Sequence, residues 1–204
     1  MYTEEEFIEQ ADRVSNWSEY YENIKDFSQE FFDSFVFDLD GEIMLTWACV
    51  HGYGKTADKL IKSGVKPDKA FDKRGYKQTA LMDACYHGHT EIAKILIKHG
   101  ANINNVDEDL DTPLTHAIRG LNFVLVSFLI RSGADVHKKN KDGRTALMYA
   151  VQNNLEVVVD LLLEKGADPL ETDVLQDCAL TIAHRLKHME IYQKFLTHIK
   201  NKKY

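Results

Sequence analysis

The chain has 204 residues, of which 44% are hydrophobic and 28% charged, enough for one or two ordinary globular domains. No stretch approaches the roughly 18 apolar residues of a membrane helix. The acidic start Met1-Tyr2-Thr3-Glu4-Glu5-Glu6 lacks the basic-then-apolar pattern of a secretory leader, so a cytoplasmic protein is expected. The net charge of −7 is uneven: residues 1–42 hold thirteen acids against two bases (Arg13 and Lys25), leaving a mildly basic remainder of +4. An acidic chain without a basic stripe argues against nucleic acid as a partner, because phosphate neutralisation needs Lys and Arg.

The first elements are two acidic, aromatic-rich helices, Thr3–Arg13 and Ser18–Asp33. Phe7, Ile8, Ala11 and Val14 make one apolar face; Tyr20, Tyr21, Ile24, Phe27, Phe31, Phe32 and Phe35 make another. Residues 1–42 are therefore read as an N-terminal helical cap or as an acidic docking element. Next comes Phe35-Val36-Phe37-Asp38-Leu39-Asp40-Gly41, an apolar run ending in D-x-D-G. Beyond it the chain repeats. Segments opening at Thr79, Thr112, Thr145 and Cys178 align at steps of 33 residues: Thr79-Ala80-Leu81-Met82-Asp83-Ala84, Thr112-Pro113-Leu114-Thr115-His116-Ala117, Thr145-Ala146-Leu147-Met148-Tyr149-Ala150 and Cys178-Ala179-Leu180-Thr181-Ile182-Ala183. Thr suits a helix N-cap, and Pro113 sits just inside the start, where a missing N–H costs nothing. A short turn and a second helix follow each box, as in Thr90–His99. Gly64, Gly100, Gly133 and Gly166 stop the second helices, in the left-handed position that glycine favours.

A period near 33 with a T-P-L-H-x-A box resembles the ankyrin family over roughly residues 43–200. Asn140-Lys141-Asp142-Gly143-Arg144-Thr145 is near the full consensus. Ala48-Cys49-Val50-His51-Gly52 aligns with Ala84-Cys85-Tyr86-His87-Gly88 at an offset of 36, which implies an earlier repeat and three inserted residues around Pro67–Gln78. The resemblance implies an all-α solenoid of about five repeats joined by β-hairpin loops, in a domain spanning residues 43–204. Departures are Met82, Thr115, Met148 and Thr181 in place of the box His, and Leu110 and Leu121 in place of glycine. They predict weaker bonding between repeats and altered turns near the third one.

Three fragments suggest chemistry. Asp38 and Asp40 resemble the first motif of haloacid-dehalogenase phosphatases, but that site needs an α/β sheet for which the repeats leave no room. Gly54-Lys55-Thr56 resembles the tail of a phosphate-binding loop, yet Cys49 stands where the motif requires Gly. Cys85-Tyr86-His87-Gly88-His89 groups soft metal-ligand types without the second cluster a zinc site needs. No catalytic, cofactor or metal residue is assigned. Cys49, Cys85 and Cys178 are odd in number and read as reduced core thiols.

Binding is left. In the ankyrin family partners dock on the concave face made by hairpin tips and first helices. Carried over residue by residue, that face offers Tyr76, Lys77, Glu108, Asp109, Asp111, Lys141, Asp142, Arg144, Val174, Leu175 and Asp177 on the tips. The first helices offer Trp47, His51, Asp83, Tyr86, His87, His116, Arg119, Tyr149, Gln152 and Asn153. Trp47, Tyr86 and Tyr149 are the expected aromatic anchors; the alternative is that each lies on its neighbouring repeat. The reading is a monomeric, non-enzymatic module that binds another protein as adaptor, sequestering factor or inhibitor. The alternatives are an inhibitor or immunity-type protein of one enzyme, a phosphatase using Asp38 and Asp40, and a subunit that self-associates through its N-terminal helices.

Overall fold

The computed structural model describes residues 41–69 and 77–202. These form ten helices in five successive pairs: α1 (Gly41–His51) with α2 (Gly54–Lys62), α3 (Ala80–Tyr86) with α4 (Thr90–Lys98), α5 (Pro113–Arg119) with α6 (Phe123–Arg131), α7 (Ala146–Gln152) with α8 (Glu156–Glu164), and α9 (Ala179–Arg185) with α10 (Met189–Lys202). The N-terminal helices expected over residues 1–42, Asp38 and Asp40, Tyr76 and most of the insertion around Pro67–Gln78 lie outside the described residues.

Local chemistry sets the helix starts. The hydroxyls of Thr79, Thr112 and Thr145 each accept the backbone N–H three residues on. Three of the four residues that replace the box His serve the same junction. Thr115 Oγ1 accepts the Thr112 N–H at 2.7 Å and donates to the Thr112 carbonyl at 2.8 Å. Thr181 Oγ1 takes the Cys178 N–H at 2.8 Å. Met82 Sδ lies 3.4 Å from the Thr79 N–H. The helix stops also follow: Gly64, Gly100, Gly133 and Gly166 have φ between 91° and 108°.

Packing is by repeats. α1, α3, α5, α7 and α9 stack into one layer, while in the second layer α2 lies on α4, α6 on α8 and α8 on α10. The core runs continuously between the layers through Leu60, Leu81, Leu96, Leu114, Ile118, Leu147, Leu162 and Phe195. Each such side chain contributes about 1.5–3 kcal/mol on burial. Cys49, Cys85 and Cys178 are buried and free.

Polar clamps tie neighbouring pairs. His89 Nε2 lies 3.0 Å from the Val50 carbonyl. Asn122 Nδ2 donates to the Cys85 and Tyr86 carbonyls at 3.3 and 3.1 Å. Lys141 N–H donates to the Asp109 carbonyl at 2.8 Å, and Val174 N–H to the Asp142 carbonyl at 2.9 Å, so successive hairpin tips are joined. The hairpins hold two isolated antiparallel bridges, Lys139 with Thr145 and Thr172 with Cys178. Leu110 and Leu121 keep the glycine-like geometry at φ of 63° and 59°, so the turns near the third repeat are not rebuilt.

Candidate functional site: the face of hairpin tips and first helices

Three hairpin tips are built alike. Asp107 Oδ1 accepts the backbone N–H groups of Asp109 and Asp111 at 3.0 and 2.8 Å. Asn140 Oδ1 does so for Asp142 and Arg144, and Asp173 Oδ1 for Leu175 and Asp177. These short side chains hold their own turns, and the following residues project at a regular step.

The result is a depression of about 580 Å³ lined by Tyr86, Asp109, Asp111, Arg119, Asn140, Lys141, Asp142, Arg144, Tyr149, Gln152 and Asn153. It brings together ten of the twenty-one contact residues expected from sequence and adds Asn140, which its turn-forming role explains. Tyr149 is its centre. The Tyr149 hydroxyl accepts from Asn140 Nδ2 at 2.9 Å. The guanidinium carbons of Arg144 and Arg119 lie 4.6 and 5.9 Å from the Tyr149 ring centre, both within cation–π reach. Arg119 donates to Asp111 Oδ2 at 3.0 Å, and Arg144 to Gln152 Oε1 at 2.6 Å. Tyr86 is 45% exposed at the rim, edge-on to His116 at 6.4 Å. A second depression of about 460 Å³ lies alongside, lined by Asp142, Arg144, Gln152, Asp173, Val174, Leu175, Asp177, Ile182, Arg185 and Leu186.

Four expected contact residues are buried instead. Trp47 is 0% exposed, stacked on His51 at 4.5 Å and on Tyr53 at 4.8 Å between ring centres. Tyr53, the N-cap residue of α2, stacks on the indole, and so large an apolar surface is more stable out of water. Asp83 in α3, His116 in α5 and Asp111, two residues before α5, are buried as well. They bond beneath the surface: Asp83 Oδ1 accepts from Gln78 Nε2 at 2.9 Å, and His116 Nε2 is 2.9 Å from Asp107 Oδ2. Lys77, Glu108 and His87 are exposed but line neither depression; His51 is half-buried, with Nδ1 3.0 Å from the Trp47 carbonyl.

Burial sets the electrostatics. It pushes the Asp83 carboxyl up to about 7. Burial also raises Asp111, with the nearby Asp107 charge adding to the effect against Arg119. For Asp107 burial pulls upward too, but the hydrogen bonds from His116 and from the Asp111 and Asp109 backbone outweigh it and hold that carboxyl below its ordinary range. Burial, then the charge of Asp83, drives the Cys85 thiol well up, away from ligand or nucleophile chemistry. Thr56 of the Gly54-Lys55-Thr56 fragment is buried in the first turn of α2. Among the described residues no helix is long and apolar enough to cross a membrane.

No curated protein matches the chain. A model of the family described as ankyrin repeats (3 copies) matches residues 45–140 and 120–203. With the paired helices, threonine caps and hairpin clamps in the same register, the chain belongs to the ankyrin-repeat family.

Proposed function

We propose that this protein is a non-enzymatic binding module that engages another protein on the face of its hairpin tips and first helices. Ankyrin repeats generally mediate protein–protein interaction, which supports the class of function. The observation that carries the reading is the depression around Tyr149, where an aromatic rim and two guanidinium groups from three successive repeats converge on solvent. Tyr and Arg are the residue types that dominate interface energy. The contact residues are Tyr86, Asp109, Arg119, Lys141, Arg144, Tyr149, Gln152 and Asn153, with Asp83, Asp111 and His116 as their buried support. The protein acts as a cytoplasmic monomer by occupancy: as adaptor, as sequestering factor, or as inhibitor of one enzyme. Residues 1–42 form an acidic cap in front of a repeat domain spanning 43–204.

The test is affinity capture from native lysate, followed by titration of the captured protein. Tyr86→Ala combined with Gln152→Ala should weaken binding about tenfold or more, equivalent to about 1.4 kcal/mol. Val157→Asp, at an exposed position of α8 that lines neither depression, should leave binding intact. Equal affinity of the double variant and the wild type, with unchanged melting, sinks the assignment.

A further inference from the structure

One contact recurs along this face. In three repeats the residue just before the helix N-cap reaches the residue eight positions on, at the end of the first helix. In the third and fifth pairs it joins acid to base: Asp111 to Arg119 at 3.0 Å, and Asp177 to Arg185 at 2.5 Å. In the fourth pair the order is reversed and the acid is missing. Arg144 stands on the hairpin side and meets the neutral amide of Gln152 at 2.6 Å. Its guanidinium is pinned over Tyr149, and among the described residues no carboxylate lies within ion-pair distance of it. A fixed, unneutralised guanidinium thus stands on the wall shared by both depressions.

The second depression supplies an apolar counterpart. Val174, Leu175 and Leu186 are 64%, 79% and 42% exposed on its lining. The acids around them are engaged: Asp173 holds its own turn, and Asp177 is held by Arg185 and Thr181. Asp142 alone among these acids has no side-chain partner among the described residues.

We infer that the partner presents an acidic residue to Arg144 and, beside it, a large apolar side chain to the patch of Val174, Leu175 and Leu186. This rests on the proposed binding face and names the chemistry it selects. A guanidinium already oriented by stacking loses little freedom on pairing, and its fork matches a carboxylate. The ring and the amide hold Arg144 without cancelling its charge. The exposed aliphatic cluster gains by being covered.

Selection of a displayed library of random peptides on the full chain tests this. The expected binders carry Asp or Glu next to Leu, Ile or Phe. Their affinity should fall about tenfold or more with Arg144→Met, which keeps the stem over Tyr149, and similarly with Leu175→Asp. Asp142→Asn should tighten them, since it removes an unpaired, repelling carboxylate, and Arg144→Glu should shift selection towards Lys and Arg. No enrichment, or binders without an acid whose affinity Arg144→Met leaves unmoved, overturns the inference. If such binders still weaken with Tyr86→Ala, the binding face stands without this chemistry. Binders insensitive to every change on this face reject both.

Discussion

At Gly120 the turn after α5 leaves no room for a β-carbon. One built there would sit 2.0 Å from the Tyr86 carbonyl oxygen and 2.8 Å from Asn122 Nδ2, so backbone would have to move. Gly120→Ala should cost at least about 2 kcal/mol, read by urea denaturation, because the obstruction is the neighbouring repeat's main chain. The adjacent Leu121 poses the opposite case. It is held at φ of 59° and is more than half exposed, so Leu121→Gly should raise stability by about 0.5–1 kcal/mol in the same assay. Asp83 gives a pH signature. Its folded-state value near 7 stands above the ordinary carboxylate value, so the folded chain binds more protons between about pH 4 and 7. The stability this contributes is present below that window and is lost as pH rises through it, by up to about 4 kcal/mol. The stability difference between wild type and Asp83→Asn, followed by denaturant titration, should therefore shift steadily in favour of Asn from pH 4 to 8.

At the scale of an element, the first helices are only seven residues long from α3 onward among the described residues. Helices so short are marginal alone and depend on their caps and on packing. The α5 cap is reciprocal and buried: Thr115 Oγ1 takes the Thr112 N–H and returns a bond to its carbonyl. Thr115→Ala should cost about 1–2 kcal/mol, measured by thermal or urea unfolding, because it leaves the buried Thr112 N–H without a partner. The caps were legible as a Thr recurring every 33 residues. The backbonding of Thr115, Thr181 and Met82 was not. Pattern matching scores them as losses of His, whereas geometry decides which atom reaches the N-cap N–H. The left-handed leucines show the same limit, since a consensus comparison sees a missing glycine and cannot see that neighbouring bonds still hold the turn.

Across the whole molecule each pair buries its apolar faces against its neighbours, so stability is shared through repeat interfaces. Trp47 belongs to that system. Trp47→Ala should cost about 3–5 kcal/mol through the cavity it leaves, and should show in melting before it shows in binding. The period of 33, with Thr, Leu and small Ala at fixed offsets, was sufficient to mark the paired helices from Thr79 onward, and the alignment at an offset of 36 added the earlier pair. Those residues carry their conformational instructions locally: an N-cap, an apolar stripe, a glycine stop. The sequence also marked the surface rows from which contact residues come. Which members of those rows meet water was decided by the tertiary structure alone. Trp47 is stacked against Tyr53, and Asp83, Asp111 and His116 are buried against Gln78, Arg119 and Asp107, while Tyr86, Arg119 and Arg144 stay at the surface. Burial is set by what the next repeat and the adjoining turn place against a side chain, and that distance is not written in the spacing of any one repeat.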